Sequence, residues 1–453
     1  MKFIKELNDN KDIFYEVKTV RNCEVINEYS IYCKSTAIKK DNKIYYLLFN
    51  RHYELNKNVF NFINIYQDSF KRSEQTKGKT LVALKLLYSF LEIFNLKLEY
   101  LTNDDAAQFL AFMFGYSVAG SCIFFEFKSS RTPSSVNDYL SIIRTYIKYL
   151  RLDKNPLLEA TGKKKLMTTL DGQQIEVSAF DIKAKEYHKI EVPKHITLDE
   201  FKQMQLYLHN GGNKKLECII RLMYESGLRS GEVLSLTYED LKMEKRDGLD
   251  IYKVILRNRF GNTADRSPKF LMKIKSKVDY KSPSYRQKGY GWNEMMISKS
   301  LYEMLLDYID EAHSDAQDNH FSCWKKAITD SVDEDFSEEN NFFIFLNKYG
   351  KPLSRKTLET EVRQLFIDCG IKINKEGGKY DGLCHRFRHG FAMYQVNYNH
   401  TPMALLKELM RHTSIESTAV YYTPEATDII KIKNNLSKSV YDFIPEFDLS
   451  RED

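Results

Sequence analysis

The chain has 453 residues, of which 43% are hydrophobic and 29% are charged, with 19 Gly and 9 Pro. This length predicts roughly two to four domains, and the composition excludes a wholly disordered, linker-like or collagen-like chain. The net charge of +6 is too small to indicate a partner by itself.

Hydropathy and cysteine usage point to an intracellular protein. The first residues, MKFIKELNDNKDIF, carry charges where a signal peptide has an apolar core. No apolar run approaches the roughly 18 residues of a membrane helix, so we expect a soluble, cytoplasmic protein. The seven cysteines are an odd number without a CxxC pair. We therefore expect reduced thiols, and neither a disulfide framework nor a zinc ribbon.

The N-terminal part of the chain predicts strands followed by helices. Residues 1–65 contain the β-type runs EYSIYC and KIYYLLF between polar breaks, which indicates a small strand-containing region. Residues 66–152 predict a helical domain, in which Thr102 is a helix N-cap with Asp105 three residues later. The last helix of this domain begins at Ser134 or Ser135.

That last helix is amphipathic. Its apolar positions from Val136 to Leu150 recur at helical spacing and form one face. Arg144, Lys148 and Arg151 lie off that face in the predicted helix, so we expect them to be free to meet phosphate.

A linker and a second domain follow. Residues 153–194 lose periodicity and include Lys163, Lys164 and Lys165, which predicts an extended basic linker. The second domain covers 195–423, and its first helix has a capping box formed by Thr197 and Glu200. Residues 250–298 predict strands and long turns. Helical patterns occupy about 197–208, 214–226, 230–236, 298–312, 354–369, 385–397 and 402–411.

Charge is segregated along the chain. Residues 128–165 contain nine basic and three acidic residues, and residues 253–288 contain eleven basic and two acidic ones. Acidic residues concentrate in 307–339 instead. This separation of sign is typical of a nucleic-acid-binding protein, although either basic stretch alone is equally consistent with an ordinary solvated face.

Four segments carry side chains suited to phosphate chemistry. SGLRSGEVLSL (226–236) places an arginine at a helix start, and LCHRFRHGFA (383–392) places His385 and Arg388 on one helix face, where both can reach one phosphate. LMRHTSIESTAVYY (409–422) has a histidine nine residues before a tyrosine. KIKSK (273–277) alternates as a strand does, which presents lysines on one side.

In this order and spacing the segments resemble the tyrosine recombinases, the phage-integrase class of site-specific DNA recombinases. GLRSGEVLSL looks like the first-arginine box, HRFRHGFA like the His-x-x-Arg box, and RHTSIESTAVYY like the closing box of His and Tyr. The resemblance covers about 195–423, and 134–150 looks like the last helix of the core-binding domain. It implies a mainly α (α+β) fold, with a helical, SAM-like core-binding domain and a mixed α/β catalytic domain that has a small antiparallel sheet.

The resemblance implies catalytic roles for six residues. Two arginines would clamp the phosphate, two histidines belong to the second and third boxes, a lysine on a β-hairpin would protonate the leaving 5′-oxygen, and a tyrosine would attack phosphorus. The histidine of the second box would be the base. These residues are Arg229, Lys275, His385, Arg388, His412 and Tyr421.

Several positions leave alternatives open or depart from the family pattern. Lys277 is close to Lys275, and Tyr422 adjoins Tyr421, so both assignments are open. Glu232 is at a position that is usually structural, and His389 matches a supporting histidine. Three residues depart from the family pattern. Arg411 stands where a glycine is common, Gly390 replaces the usual small hydroxyl residue, and Arg386 adds a cation within the second box.

The implied partner is double-stranded DNA, held between the two domains. Strand exchange implies a synaptic homo-tetramer, with a monomer or dimer off DNA, and no cofactor, metal or membrane. Residues 424–453 form a tail that packs either on a neighbouring protomer or on its own domain, and residues 1–65 have no counterpart. The expected DNA-binding residues are Arg144, Lys148, Arg151, Lys163, Lys164, Lys165 and Lys277.

The implied activity is DNA cleavage and rejoining through a 3′-phosphotyrosine intermediate, in the integration or excision of a bacterial or phage-borne mobile element. An alternative is a DNA-binding regulator that keeps the recombinase fold without catalysis. A third is a strand-passing enzyme of topoisomerase or resolvase type.

Overall fold

The structure is a computed structural model. It describes residues 1–9, 12–31, 33–40, 43–69, 72–115, 122–129, 131–168, 174–180, 183–184, 192–263, 265–373, 375–376, 379–380 and 382–423. The chain divides into two compact units, Met1–His188 and Lys189–Asp453. The fold is mainly α with small sheets, as predicted. Within the described residues, no helix combines the length and the apolar character needed to span a membrane.

The first unit begins with strands and continues with helices. Its strands are β1 (Lys2–Asp9), β2 (Asp12–Arg21), β3 (Glu24–Ile31), β4 (Ser35–Lys40), β5 (Lys43–Leu48), β6 (Ile123–Glu126), β7 (Ala160–Thr168) and β8 (Gln174–Phe180). Its helices are α1 (Lys57–Asn61), α2 (Gln67–Ser69), α3 (Glu74–Phe94), α4 (Asn103–Phe114) and α5 (Pro133–Tyr149).

Strands and helices of this unit share one hydrophobic core. Strand β1 pairs antiparallel with β2 and parallel with β6, which comes after α4 in the chain. Core side chains such as Ile4, Val17, Leu84, Phe112 and Ile147 come from strands and helices alike. The regions that we predicted separately as 1–65 and 66–152 are therefore packed as one body, because the helices bury the inner face of the sheet.

The structure of this unit differs from two expectations drawn from the sequence. Arg144 is buried, and its Nε donates a hydrogen bond to the carbonyl oxygen of Leu157 at 2.8 Å. This corrects the expectation of a free surface cation, since α5 is also covered by the residues that follow it. Within the predicted linker, β7 and β8 pair antiparallel. The side chains of 163–165 and all of 424–453 lie outside the described residues.

The second unit is mostly helical around a small sheet. Its helices are α6 (Leu198–Asn210), α7 (Lys214–Glu225), α8 (Ser230–Leu234), α9 (Pro283–Arg286), α10 (Lys299–Trp324), α11 (Arg355–Asp368), α12 (Leu383–Asn397), α13 (Met403–Leu409) and α14 (Glu416–Ala419). Its strands are β9 (Leu241–Arg246), β10 (Leu249–Arg257), β11 (Trp292–Met296), β12 (Lys375–Glu376) and β13 (Lys379–Tyr380).

The antiparallel sheet of this unit has the strand order β11-β10-β9. Strands β9 and β10 are joined by Asp247 and Gly248, both at positive φ (52° and 81°), which is the pattern of a tight two-residue hairpin turn. Strands β10 and β11 are joined by the long connection 258–291. The sequence predicted this sheet and the helices around it, including the capping box of Thr197 and Glu200.

A buried ion cluster fixes the end of β10, where the long connection begins. Arg259 is 1% exposed and donates to both Glu239 and Asp240, and Arg257 bonds Asp240 and Asp333. These two arginines are thus neutralised inside the protein. The basic stretch 253–288 therefore does not form a uniformly basic surface, because acidic residues from other parts of the chain pair with it in the fold.

Candidate active site

The turn between α7 and α8 positions Arg229. Gly227 has a φ of 60°, and a Cβ on it would lie 2.6 Å from the ring of Phe391, so only glycine fits here. Arg229 follows as the N-cap of α8, and its backbone N–H donates to the Glu232 carboxylate at 2.8 Å. The first-arginine segment is therefore fixed against α12.

Glu232 is a buried carboxylate shared by two arginines. Its Oε1 lies 2.8 Å from Arg229 Nη1, and its Oε2 lies 2.8 Å from Arg411 Nη2. Burial raises the pKa of Glu232, but the charges of Arg411, Arg229 and Arg388 outweigh burial and hold the pKa at about 2. Glu232 is therefore ionised and aligns the arginines around it.

Arg388 connects the three boxes. It projects from α12, is 3% exposed, and donates hydrogen bonds to the carbonyl oxygens of Gly227 and Met410. Arg411 Nη2 donates to the same Gly227 oxygen at 3.1 Å. Segments far apart in the sequence thus meet at one carbonyl group.

The site carries more positive than negative charge. Arg229, Arg388 and Arg411 surround the one carboxylate of Glu232, and burial together with the neighbouring Arg229 lowers the pKa of Arg388. Packing like charges together is costly unless an anion completes the arrangement. Planar guanidinium groups bind the oxygens of a phosphodiester well.

Tyr421 lies at this cluster. It is 3% exposed, and its hydroxyl is 2.7 Å from His389 Nδ1. Burial raises the pKa of Tyr421 to about 12, although Arg388 and Arg229 act to lower it. The hydroxyl of Tyr422 instead donates to the carbonyl oxygen of Thr401. Of the two adjacent tyrosines, Tyr421 is the one whose hydroxyl contacts His389 of α12.

Two further histidines line the site. Burial, followed by the charges of Arg355, Arg388, Lys269 and Arg229, lowers the pKa of His385 to about 4. Burial and nearby arginines likewise lower the pKa of His412 to about 4. His412 Nδ1 is 2.9 Å from the hydroxyl of Thr418, and its ring lies parallel to that of Tyr421 at a centroid distance of 6.3 Å.

The predicted hairpin lysines lie in a turn that packs against acidic residues. Lys277 forms ion pairs with Asp330 at 3.0 Å and Glu338 at 2.6 Å. The backbone N–H of Lys275 donates to Asp279 at 2.7 Å in the same turn. Lys277 is thus paired with carboxylates while its side chain stays 54% exposed, and its contact with DNA remains a prediction.

Lys269, earlier in the same connection, lies near enough to the site for its charge to act on His385. Its charge contributes to the lowered pKa of His385, after burial, Arg355 and Arg388, and the ring of its neighbour Phe270 lies 5.3 Å from the Arg229 guanidinium. A Cβ on Gly231 would lie 3.2 Å from the carbonyl oxygen of Ser267, so this loop packs directly on α8. Within the described part of the chain, Lys269 makes no ion pair.

Two departures from the family pattern have structural explanations. A Cβ on Gly390 would lie 2.5 Å from both the carbonyl oxygen of Ile196 and the ring of Tyr224, which leaves no room for a hydroxyl side chain. Arg386 donates to the carbonyl oxygen of Lys372 at 2.9 Å, so its guanidinium is directed elsewhere than the phosphate cluster.

Sequence reasoning missed three contributions to the site. It noted Arg411 only as a departure and His389 only as support, and it did not consider Lys269. The sequence held a signal for the first two, because Arg411 immediately precedes the box histidine and His389 is one turn from His385. Lys269 had no such signal, because the lysine that reaches the site depends on the path that the chain takes through the long connection. No group of metal-ligating side chains occurs among the residues that the structure describes.

Known proteins similar to this chain include transposon enzymes. Transposase A from transposon Tn554 of Staphylococcus aureus is 29% identical over 401 residues, covering 86% of this chain and 93% of that protein. A tyrosine recombinase XerC-like protein of Caldanaerobacter subterraneus subsp. tengcongensis is 22% identical over 320 residues, covering 68% of this chain and 67% of that protein.

Solved structures give a looser match. The Tn1549 transposon integrase in complex with transposon right end DNA has a TM-score of 0.48 and 15% identity, covering 84% of this chain and 99% of that chain. XerH site-specific recombinase bound to difH substrate has a TM-score of 0.46 and 15% identity, covering 79% of this chain and 78% of that chain.

The family model described as the phage integrase family matches residues 194–427, slightly more than half of the chain. This range contains all three boxes and the whole arginine cluster. The chain belongs to the phage integrase family, the tyrosine recombinases.

Proposed function

We propose that this chain is a site-specific DNA recombinase that cleaves and rejoins DNA strands through a 3′-phosphotyrosine intermediate. Membership of the phage integrase family supports recombination in general. The observation that carries the specific proposal is the convergence of Arg229, Arg388 and Tyr421. Arg388 bonds the carbonyl oxygens of Gly227 and Met410, and Tyr421 contacts His389, the next residue of α12.

In this proposal the arginines bind the scissile phosphate. A phosphodiester resists attack because its own negative charge repels nucleophiles. Arg229 and Arg388 would neutralise that charge and hold the oxygens on which charge grows in the transition state. The excess of guanidinium groups over the single carboxylate of Glu232 supports this role.

Tyr421 would attack phosphorus, and the 5′-oxygen would leave. We assign the protonation of that oxygen to Lys269 in place of Lys275, because the charge of Lys269 acts on His385 and the ring of its neighbour Phe270 lies against the Arg229 guanidinium. The phosphotyrosine bond would keep the free energy of the broken linkage. A 5′-hydroxyl from another strand could then reverse the step without ATP.

DNA binding by both units and a role in a mobile element complete the proposal. The exposed side chains of Lys148 and Arg151 would contact phosphates, and strand exchange would take place in a synaptic homo-tetramer. Integration or excision of a mobile element is supported by the similarity to Transposase A from transposon Tn554.

A covalent adduct tests the proposal. A duplex selected from a randomised library by binding to the full chain would be nicked beside the presumed cleavage position and incubated with the protein. We expect an adduct on a denaturing gel, its loss in Tyr421→Phe, and its retention in Tyr422→Phe. Both variants should bind the selected duplex, so that loss of the adduct reports chemistry.

The same experiment tests the alternative of a DNA-binding regulator. If the wild-type chain binds the selected duplex tightly and forms no adduct at any nick position, the regulator function replaces the recombinase function. If Tyr422→Phe removes the adduct and Tyr421→Phe does not, recombination stands and the nucleophile is Tyr422.

A further inference from the structure

The contact between His389 and Tyr421 is a direct hydrogen bond to the hydroxyl group that would react. His389 Nδ1 and Tyr421 Oη are 2.7 Å apart, which is the distance of a well-formed hydrogen bond. The ring centroids are 5.8 Å apart at 45°, so the imidazole meets the hydroxyl at its edge rather than stacking on the phenol.

Helix α12 holds His389 in place for this contact. Gly390, the next residue, packs so closely on Ile196 and Tyr224 that a Cβ would be 2.5 Å from each. The backbone N–H of Ile196 also donates to the carbonyl oxygen of Arg386 at 3.0 Å. The helix is thus fixed on the side opposite the arginine cluster, and the position of His389 is fixed with it.

The other two site histidines are placed differently. The ring of His385 is centred 6.2 Å from that of His389, and His412 uses its Nδ1 for the Thr418 hydroxyl. Among the described residues, His389 is the histidine that shares a hydrogen bond with Tyr421. His389 is therefore better placed to act as the base than His385, the residue expected from the sequence.

We propose that His389 is a catalytic residue that accepts the Tyr421 proton during attack, an inference that rests on the proposed recombinase function. As the bond from Tyr421 Oη to phosphorus forms, the hydroxyl proton moves to His389 Nδ1. The bond from phosphorus to the 5′-oxygen breaks, and that oxygen takes a proton from Lys269. In rejoining, a 5′-hydroxyl attacks phosphorus and gives its proton to Lys269, the bond from phosphorus to the tyrosine oxygen breaks, and the imidazolium of His389 returns its proton to that oxygen.

The surroundings of His389 suit a base that DNA switches on. Burial, followed by the neighbouring groups, lowers the pKa of His389 to about 4, so the ring is neutral and able to accept a proton. A bound phosphate would offset the positive charges beside it and make the imidazole more basic when the substrate is present. The titratable and charged groups around the ring are His385, Arg388, His195, His412 and Tyr421.

Two substitutions separate proton transfer from positioning. His389→Asn retains an amide oxygen near the position of Nδ1, which can accept the tyrosine hydrogen bond but is a very weak base. His389→Ala removes both functions. We expect single-turnover cleavage of the nicked selected duplex to fall on the order of 100-fold in both variants, with imidazole in the buffer partly restoring His389→Ala.

The pH profile and a surface control complete the test. The wild-type cleavage rate should fall on the acid side, and His389→Asn should lose that dependence, whereas His209→Asn, an exposed histidine of α6, should behave as wild type. Recovery of the wild-type rate by His389→Asn, or full activity of His389→Ala, overturns the inference. Neither outcome affects the recombinase proposal, which fails only if Tyr421→Phe and Tyr422→Phe both leave the adduct intact or if no adduct forms.

Discussion

Arg411 Nη2 and Glu232 Oε2 are 2.8 Å apart, and the arginine makes this ion pair from the left-handed backbone region, with a φ of 51°. An L-residue there costs roughly 1–2 kcal/mol relative to its ordinary conformation, a cost that glycine escapes. The contacts of the side chain with Glu232, Gly227 and Leu409 offset that strain. The hydrogen bonds of its guanidinium therefore stabilise Arg411 in this backbone conformation.

Arg411→Gly should relieve the backbone and impair the site. Glu232 would keep Arg229 as its partner, so that Arg229 is drawn more strongly to the carboxylate than to DNA. We expect single-turnover cleavage to fall on the order of 10-fold, with the free energy of unfolding lowered by no more than about 1–3 kcal/mol because strain is relieved. Arg386→Ala is the control, since its guanidinium bonds a carbonyl outside the cluster; equal rates in both variants would refute the role.

The stability of the chain should rise with pH between about 2 and 6.5. The pKa of Glu232 is lowered from 4.5 to about 2. Its contribution to the free energy of unfolding is therefore complete above pH 4.5 and is lost as the pH falls towards 2. The pKa values of His385, His389 and His412 are lowered from 6.5 to about 4, so the unfolded chain takes up their protons first as the pH falls from 6.5. Urea unfolding at several pH values measures this, and Glu232→Gln should flatten only the part below pH 4.5.

Lys269→Ala should be rescued by a better leaving group. A duplex with a sulfur in place of the bridging 5′-oxygen needs no proton donor, because a thiolate leaves readily. We expect Lys269→Ala to lose on the order of 100-fold in cleavage of the ordinary duplex and to cleave the sulfur-containing duplex nearly as well as wild type. Lys275→Ala is the matched control, and rescue confined to that variant would return the role to Lys275.

Gly390→Ala should destabilise the second unit, because its Cβ would meet the carbonyl oxygen of Ile196 at 2.5 Å. We expect a loss of about 1–3 kcal/mol in the free energy of unfolding, as for other overpacked sites. Gly78→Ala in α3 is the control, since its Cβ would find only a contact at 3.8 Å. Chemical denaturation of both variants measures the difference, and equal stabilities would show that the α12 interface can relax.

Lys148→Glu and Arg151→Glu should weaken binding of the selected duplex and reduce its dependence on salt, because both side chains are exposed. Arg144→Ala should instead lower the free energy of unfolding by about 1–3 kcal/mol through loss of its bond to the Leu157 carbonyl. Fluorescence anisotropy across a salt series, with denaturation alongside, distinguishes the two effects. Tight binding by both charge-reversed variants would exclude this face as a DNA contact.

Local patterns predicted the parts of this fold that depend on neighbouring residues. Helix caps such as Thr102 and Thr197 were readable because the capping residues are three apart in the sequence. The resemblance of the boxes led us to expect Arg229, Arg388 and Tyr421 in one site, with Tyr422 as an open alternative, and their catalytic roles remain predictions. Both outcomes rest on short-range or family-specific signals.

The rest depended on long-range packing. Arg144 is off the apolar stripe of its own helix, and only the later segment around Leu157 buries it. Lys277 is in a basic run, but residues about sixty positions away supply its carboxylates. Separation of charge in the sequence was thus a poor guide to separation in space, because folding paired the basic connection with the acidic segment.

The carbonyl oxygen of Gly227 accepts hydrogen bonds from Arg388 and Arg411, which follow it by 161 and 184 residues. A nascent chain on the ribosome therefore carries Arg229 long before the groups that complete its anion site have been made. A product truncated by a frameshift between Arg229 and Arg388 would keep the first arginine segment and lack the second arginine and the nucleophile. Strand breakage, on the proposed chemistry, is thereby confined to chains whose translation has passed Tyr421.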